Sequence, residues 1–136
     1  MQAARNLIND AKRIQERLVA HQPARLRDRV RRLRIDNRAA LLTGPRGTGK
    51  TTWLLRQCDQ EHLLYMSVDH PAFSATPLYD LIEVAFMEGY EGVLIDEIHY
   101  AMHWARHLKA AYDAFPGKRL IASDSSTVVL RDGTTD

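Results

Sequence analysis

The sequence reads Gly44-Pro45-Arg46-Gly47-Thr48-Gly49-Lys50-Thr51 at the end of a short apolar run, and this stretch decides the predicted fold. It matches the pattern G-x-x-x-x-G-K-[S/T] in full. Glycines let the backbone curl so that several N–H groups point at phosphate oxygens, and the helix that begins there adds its positive N-terminal end. We therefore predict a phosphate-binding loop, in which Lys50 approaches the β- and γ-phosphates and the Thr51 hydroxyl binds Mg²⁺. The predicted cofactor contacts are Gly44, Pro45, Arg46, Gly47, Thr48, Gly49, Lys50, Thr51 and Thr52.

A second motif lies at the end of a later apolar run, where Val93-Leu94-Ile95 is followed by Asp96 and Glu97. Ligands of open α/β sheets bind at the carboxyl edge of the strands, so both carboxylates are expected beside the phosphate-binding loop. We expect Asp96 to hold Mg²⁺, mostly through water, and Glu97 to polarise an attacking water molecule. The alternative interpretation is a pair of solvated acids in a turn.

Strand and helix patterns alternate along most of the chain. Apolar runs predict strands, and helical spacing predicts the segments between them. Uniformly apolar strands joined by helices are typical of a parallel sheet covered on both faces. The predicted class is α/β, a three-layer αβα P-loop nucleoside triphosphatase with a parallel sheet of about four strands. The predicted strands are 39–42, 63–68, 93–95 and 119–123, the helices 51–59, 77–88, 101–115 and 125–130, with a loop over 70–76.

The N-terminal part has its own pattern. Leu7, Ala11, Ile14 and Leu18 recur at helical spacing and predict a helix over residues 3–20, and a second helix is expected over 24–34, so that one or two helices precede the sheet. We therefore divide the chain into a basic N-terminal helical segment, residues 1–37, and a P-loop core, residues 38–136.

Charge is distributed unevenly. Residues 1–50 hold 13 Lys/Arg against 4 Asp/Glu, a net charge of +9, whereas the rest of the chain carries −7. The densest basic stretch could contact nucleic-acid phosphates, but a solvated helix face explains it equally simply, and it lacks the interleaved aromatic residues that base stacking needs. This stretch consists of Arg25, Arg27, Arg29, Arg31, Arg32 and Arg34.

Composition excludes several classes of protein. About 45% of the residues are hydrophobic and 26% charged, which permits a packed core, and no apolar run approaches the length of a membrane span. With a single cysteine and no secretion signal at the N-terminus, the sequence favours a soluble, cytoplasmic protein without membrane association. His99, His103 and His107 recur at i, i+4 and i+8, which permits a metal site on one helix face, although histidines at such spacing are more often packing residues.

Together, the two motifs resemble the AAA-type P-loop ATPases, in the additional-strand branch with a catalytic glutamate beside the metal aspartate. More narrowly, the chain is similar to a bacterial and archaeal ATPase family whose P-loop domain precedes a C-terminal domain of unknown function. The resemblance covers about residues 38–131 and includes Tyr65-Met66-Ser67-Val68-Asp69 and Leu120-Ile121-Ala122-Ser123-Asp124. It implies that Ser123 senses the γ-phosphate or orients water. Asp124 stands where the family has glycine, and Arg46-Gly47-Thr48 stands where the narrower family commonly has Arg-Gln-Val.

The resemblance also carries an expectation about length. Family members continue into a fifth strand, an arginine-bearing segment and a small helical lid, whereas this sequence stops at Asp136. We therefore expect a fragment or a truncated homologue, with the fifth strand and lid missing. Such a chain should bind nucleotide weakly and turn it over slowly, since a trans-acting arginine alone contributes a factor of about 10³–10⁵ in rate.

Three functions follow from these patterns. The first is Mg-ATP binding and hydrolysis by an ATPase module coupled to an unknown partner, which could be a protein, a second copy of the chain, or nucleic acid through residues 25–34. The second is a non-hydrolysing nucleotide-binding switch or scaffold. The third, a small-molecule kinase, fits less well because the pair Asp96 and Glu97 suits water activation better.

Overall fold

The computed structural model describes residues 2–21, 35–45, 47, 49–58 and 62–125. The predicted helix over residues 24–34, the Arg25–Arg34 stretch, and the predicted helix over 125–130 apart from Ser125 all lie outside the described residues.

Helices and strands alternate as the sequence predicts. The first helix, which precedes the sheet, and the four strands lie close to their predicted positions. In chain order the elements are α1 (Gln2–Ala20), β1 (Ala39–Thr43), α2 (Lys50–Gln57), β2 (Leu63–Ser67), α3 (Pro71–Ser74), α4 (Leu78–Met87), β3 (Gly92–Asp96), a 3₁₀ helix (Ile98–Tyr100), α5 (Trp104–Ala114) and β4 (Arg119–Asp124).

The four strands form one parallel sheet in the order β1-β4-β3-β2. The strand that leads into the glycine-rich loop and the strand that ends in the acids are therefore separated by β4. Leu42 of β1 is paired with Ser123, and Ser67 of β2 is paired with Asp96. The carboxyl ends of all four strands meet at one edge, which brings both motifs to the same place.

Helices cover both faces of the sheet and bury two groups of side chains. On one face Ile8 of α1 and Leu81 of α4 pack with Met66 and Ile95. On the other face Trp53 and Leu54 of α2 pack against Tyr65, Leu94 and Ile121. These layers confirm the predicted α/β class, with a four-stranded parallel sheet between helices.

The expectation that every strand is buried on both faces is wrong for β1. Leu41 is 40% exposed, whereas the side chains of β3 are all buried. The reason lies in the strand order, because β1 stands at the end of the sheet and pairs only with β4 among the described strands.

Two local predictions also fail. The segment predicted as a loop over residues 70–76 contains the one-turn helix α3, because the His70 ring accepts a hydrogen bond from the Ala72 N–H and Pro71 occupies the first helical position. The helix predicted over 101–115 begins only at Trp104, because His103 adopts a left-handed backbone with φ of 55°. A separate 3₁₀ helix precedes it.

Helix α1 protects the outer edge of the sheet. The Gln15 side chain donates to the Leu63 carbonyl at 3.3 Å and accepts from the Tyr65 N–H at 3.1 Å, on the edge of β2 that does not face β3. An unpaired strand edge can pair with other chains, and these bonds prevent such pairing. Helix α1 thus packs on the core, and the proposed division between residues 37 and 38 stays a prediction.

Arg38, just before β1, ties the end of α5 to the sheet. Its guanidinium donates to the carbonyls of Tyr112 at 3.0 Å and of Phe115 and Lys118, both at 3.2 Å. It also lies over the Tyr112 ring, 3.6 Å from the ring centre. A planar guanidinium suits both roles, since it offers several donors and an apolar face.

We expect Arg38→Met to lower the free energy of unfolding by about 2–3 kcal/mol, because carbonyls at a helix end lose charge-assisted bonds. Urea denaturation monitored by circular dichroism measures this change. Arg13→Met is the matched control, because Arg13 is an exposed residue whose side chain contacts Asp10 one helical turn away, and its effect should stay below about 0.5 kcal/mol. Equal effects of the two substitutions would contradict the role of Arg38.

Candidate functional site

The glycine-rich loop joins β1 to α2 at the carboxyl edge of the sheet. Gly47 and Gly49 have φ of 84° and 96°, in the left-handed region that favours glycine. The chain turns here into α2, whose first hydrogen bond runs from the Trp53 N–H to the Gly49 carbonyl. The loop is fixed to β4 by the Gly44 N–H, which donates to the Asp124 carbonyl at 3.3 Å. Arg46 and Thr48 of the predicted loop lie outside the described residues, and Thr52 lies half-buried in the first turn of α2.

The Lys50 ammonium lies over the loop that precedes it. Its Nζ donates to the carbonyls of Gly44 at 2.6 Å and Pro45 at 2.9 Å. The charge is thereby held at the mouth of the loop, on a flexible stem that can exchange neutral carbonyls for anionic oxygens.

Asp96 is the centre of a buried network of hydroxyl groups. The carboxylate is 3% exposed, and its Oδ2 accepts from Thr51 Oγ1 at 2.6 Å and from the Tyr65 hydroxyl at 2.7 Å. Its Oδ1 accepts from Ser123 Oγ. Hydrogen bonds to a charged group are the stronger kind, so these three donors hold the carboxylate in one orientation.

The bond between Thr51 and Asp96 joins the two predicted motifs, which are 45 residues apart in the chain. Because the Thr51 hydroxyl donates a hydrogen bond to Asp96, the lone pairs of the hydroxyl oxygen remain available to a cation. A hydroxyl and a carboxylate are hard oxygen donors, as Mg²⁺ prefers, and Mg²⁺ at nucleotide sites commonly takes one or two protein oxygens plus phosphates. No group of three or more His, Cys, Asp or Glu that could hold a metal ion occurs in the described part of the chain.

Tyr65 is a member of the site for which the sequence analysis assigned no role. It lies in the middle of β2, is 3% exposed, and directs its hydroxyl at Asp96. Burial, followed by the nearby negative charge of Asp96, raises the pKa of Tyr65 far above its ordinary value, so the hydroxyl remains a donor. A tyrosine within an apolar strand could have indicated this, because buried tyrosines need a partner for the hydroxyl.

Glu97 directly follows β3 and adopts a backbone conformation that is unusual for a residue other than glycine. Its φ of 56° and ψ of 50° lie in the left-handed region, and such conformations cluster at functional sites. The Glu97 N–H donates to Ser123 Oγ at 2.9 Å, and Oε2 accepts from Ser125 Oγ at 3.1 Å. The turn therefore separates the carboxylate of Glu97 from that of Asp96, although the residues are adjacent in sequence.

Ser123 lies between these two acids. Its hydroxyl donates to Asp96 and accepts from the Glu97 backbone, so it fixes the relative position of both residues. Sequence analysis assigned Ser123 to the γ-phosphate or to water, and that role stays a prediction.

The three histidines do not form one helix face, and that interpretation is wrong. His99 lies in the 3₁₀ helix and His103 precedes α5 with a left-handed backbone. In α5 itself, His107 Nδ1 accepts from the Tyr79 N–H at 3.0 Å, which fixes its ring as a packing residue. The break at His103 separates them, since the helix predicted over 101–115 starts only after it, at Trp104.

The fold and the site define a P-loop domain of the α/β class, with a glycine-rich loop and two acids at one edge of a parallel sheet. A family model described as "AAA domain" matches residues 36–136, and the chain belongs to this family. The family comprises ATPase-like nucleotide-binding modules.

Among curated proteins, the chain is similar to the protein named "Uncharacterized protein MJ1637" of Methanocaldococcus jannaschii. The two are 34% identical over 106 residues, which is 68% of this chain and 22% of that protein. The chain thus spans about a fifth of the relative's length. Separately, none of the helices in the described residues combines the length and apolar character that a membrane span needs.

Proposed function

We propose that this domain binds Mg-ATP and hydrolyses it. The observation that carries the proposal is the 2.6 Å hydrogen bond between Thr51 and Asp96, which unites a phosphate-binding loop with an acidic strand end. Family membership supports the nucleotide-binding part of the proposal. The chemistry of the individual residues supports the hydrolytic part.

The triphosphate would bind in the loop formed by Gly44, Pro45, Arg46, Gly47, Thr48, Gly49, Lys50, Thr51 and Thr52. Backbone N–H groups at the start of α2 face the carboxyl edge of the sheet, where a helix N-terminus attracts anions. Lys50 exchanges the loop carbonyls for β- and γ-phosphate oxygens. The left-handed backbone of Gly47 and Gly49 and the helix that begins at Lys50 support this arrangement.

Thr51 and Asp96 would hold Mg²⁺. When bound, the cation neutralises charge on the phosphates and orients them for attack. Asp96 would help to hold the cation with its carboxylate, which the hydroxyls of Tyr65 and Ser123 keep in place. Thr51 would contribute its hydroxyl oxygen, whose hydrogen bond is already donated to Asp96.

Glu97 would accept a proton from the attacking water. Ser123 would hold Glu97 and Asp96 in fixed positions relative to each other. A loose phosphoryl-transfer transition state needs positioning and charge neutralisation more than covalent help, so one well-placed carboxylate suffices. The position of β4 between β1 and β3 supports assignment to the additional-strand branch with a catalytic glutamate.

The identity of the partner to which hydrolysis is coupled is also part of the proposal. We propose that hydrolysis is coupled to a protein or to a second copy of the chain, and nucleic-acid contact through Arg25–Arg34 rests on the charge of the sequence alone. The chain spans 22% of the curated relative that it matches, so the activity and partners of a whole protein of that length stay proposals.

ATP binding and turnover measured with Mg²⁺ and with EDTA test the proposal. We expect wild-type binding to be at least about tenfold tighter with Mg²⁺, and Asp96→Asn to abolish that enhancement together with turnover. Asp113→Asn is the matched control, because Asp113 is exposed and pairs with Lys109 on the surface of α5.

Two other outcomes of these measurements would favour a different function or contradict the metal site. Binding that depends on Mg²⁺ without any phosphate release would favour the non-hydrolysing switch. Binding that ignores both Mg²⁺ and Asp96→Asn would contradict the proposed metal site.

A further inference from the structure

One imidazole nitrogen lies between two buried carboxylates next to the site. His99 Nδ1 is 2.8 Å from Asp124 Oδ1 and 3.7 Å from Glu97 Oε1. The side chains of all three residues are at most 13% exposed. The Nδ1 position is at contact distance from Asp124, yet it makes an aligned hydrogen bond with neither carboxylate.

The two carboxylates compete for a single proton. Ionised carboxylates only accept hydrogen bonds, so the ring nitrogen that faces both must carry a proton, whether the ring is neutral or charged. One N–H cannot align with two acceptors on different residues at once. The N–H of His99 therefore points towards whichever carboxylate, that of Asp124 or that of Glu97, attracts it more strongly.

We propose that Asp124 is a positioning residue that keeps the N–H of His99 away from Glu97. This inference rests on the proposed function, in which Glu97 Oε1 or Oε2 takes a proton from water. Ser125 donates to Oε2, so Oε1 is the oxygen on which His99 would compete with the attacking water. Asp124 holds His99 at the shorter distance and thereby limits that competition.

The surroundings keep the ring in place when Asp124 is changed. The His99 ring packs against the Tyr100 ring, with centres 4.5 Å apart, and the 3₁₀ helix fixes its backbone. Without Asp124, the nearest carboxylate to the same N–H is that of Glu97.

Asp124→Ala in the 136-residue chain tests this inference. We expect kcat for ATP to fall about 10- to 100-fold, because a hydrogen bond from His99 to a charged Glu97 must then be broken in each turnover. KM should change less than about twofold, since the backbone carbonyl of Asp124, which holds the loop at Gly44, is retained. Asp124→Asn, with a weaker acceptor, should give a smaller fall in the same direction and covers the case in which Asp124→Ala does not fold.

A second substitution separates positioning from a merely structural role. His99→Phe removes the donor but keeps a ring against Tyr100, so adding it to Asp124→Ala should restore most of the lost kcat. If Asp124 only supported the fold, the double variant would be as slow as the single variant or slower. Unchanged kcat in Asp124→Ala, or no recovery in the double variant, would overturn the inference.

Turnover by the wild-type chain and by Glu97→Gln distinguishes failure of the inference from failure of the proposed function. If the wild-type chain releases no phosphate from ATP, the proposed function fails and the inference fails with it. If Glu97→Gln hydrolyses ATP at the wild-type rate, Glu97 is not the base and the inference fails, although hydrolysis itself stands. If Glu97→Gln stops turnover and Asp124→Ala does not slow it, only the role of Asp124 and His99 is wrong.

Discussion

Replacing Lys50 by methionine should weaken ATP binding by about 100-fold or more while leaving the fold intact. The substitution keeps most of the apolar stem and removes the ammonium. That ammonium bonds to the Gly44 and Pro45 carbonyls at the mouth of the loop and is the charge nearest to the expected β- and γ-phosphates. A charge-assisted bond of about 3 kcal/mol corresponds to a factor of about 100 in affinity. Isothermal titration calorimetry with Mg-ATP measures the change.

Lys109→Met is the control for Lys50→Met. Lys109 lies on α5 with a side chain that is 76% exposed, and it pairs with Asp113 one turn away. Its substitution removes the same charge from the chain but should leave ATP affinity within about twofold. If both variants bind ATP equally well, the loop is not the phosphate site.

Glu97→Gln should lower kcat by about 10²–10⁴-fold and leave ATP affinity nearly unchanged. Glutamine has almost the same shape and can still accept from Ser125, but it cannot take a proton from water. A positioned general base contributes an effect of this size. Phosphate release under saturating Mg-ATP measures kcat, and calorimetry on the same sample measures affinity.

Glu91→Gln is the matched control for this substitution. The Glu91 side chain is 66% exposed and lies at the opposite end of β3, 3.7 Å from the Lys118 ammonium. Its kcat should equal that of the wild type. A Glu97→Gln variant that turns ATP over as fast as Glu91→Gln would exclude Glu97 as the base.

Local sequence was sufficient to predict the elements that carry the site. The loop from Gly44 to Thr51 needs glycine conformations and a helix that follows it directly. Both depend on residues that are consecutive in the sequence, so the local pattern predicts them. The apolar run that delivers Asp96 and Glu97 is equally local. Because parallel strands place their carboxyl ends at one edge, the proximity of Thr51 to Asp96 followed from the predicted class of fold.

Contacts set by the order of the strands could not be predicted in this way. Ser123 reaches Asp96 only because β4 lies next to β3, and Tyr65 reaches it because β2 lies on the other side. Nothing in the local pattern of either strand gives that order.

The geometry around Glu97 was likewise beyond sequence reasoning. Its left-handed backbone depends on the bond between its N–H and Ser123, a residue 26 positions later. The same turn ends β3 and starts the 3₁₀ helix, which removes His99 from the helix face predicted for it. A periodic pattern of histidines carries no information about such a turn.

The structure of the Glu97→Gln variant with ATP and Mg²⁺ tests the central claim most directly. We predict a triphosphate in the loop between Gly44 and Thr51, with the Lys50 ammonium on its outer phosphates and Mg²⁺ bound by the Thr51 hydroxyl beside Asp96. Nucleotide bound elsewhere on the chain, or a cation bound away from Thr51 and Asp96, would contradict the claim.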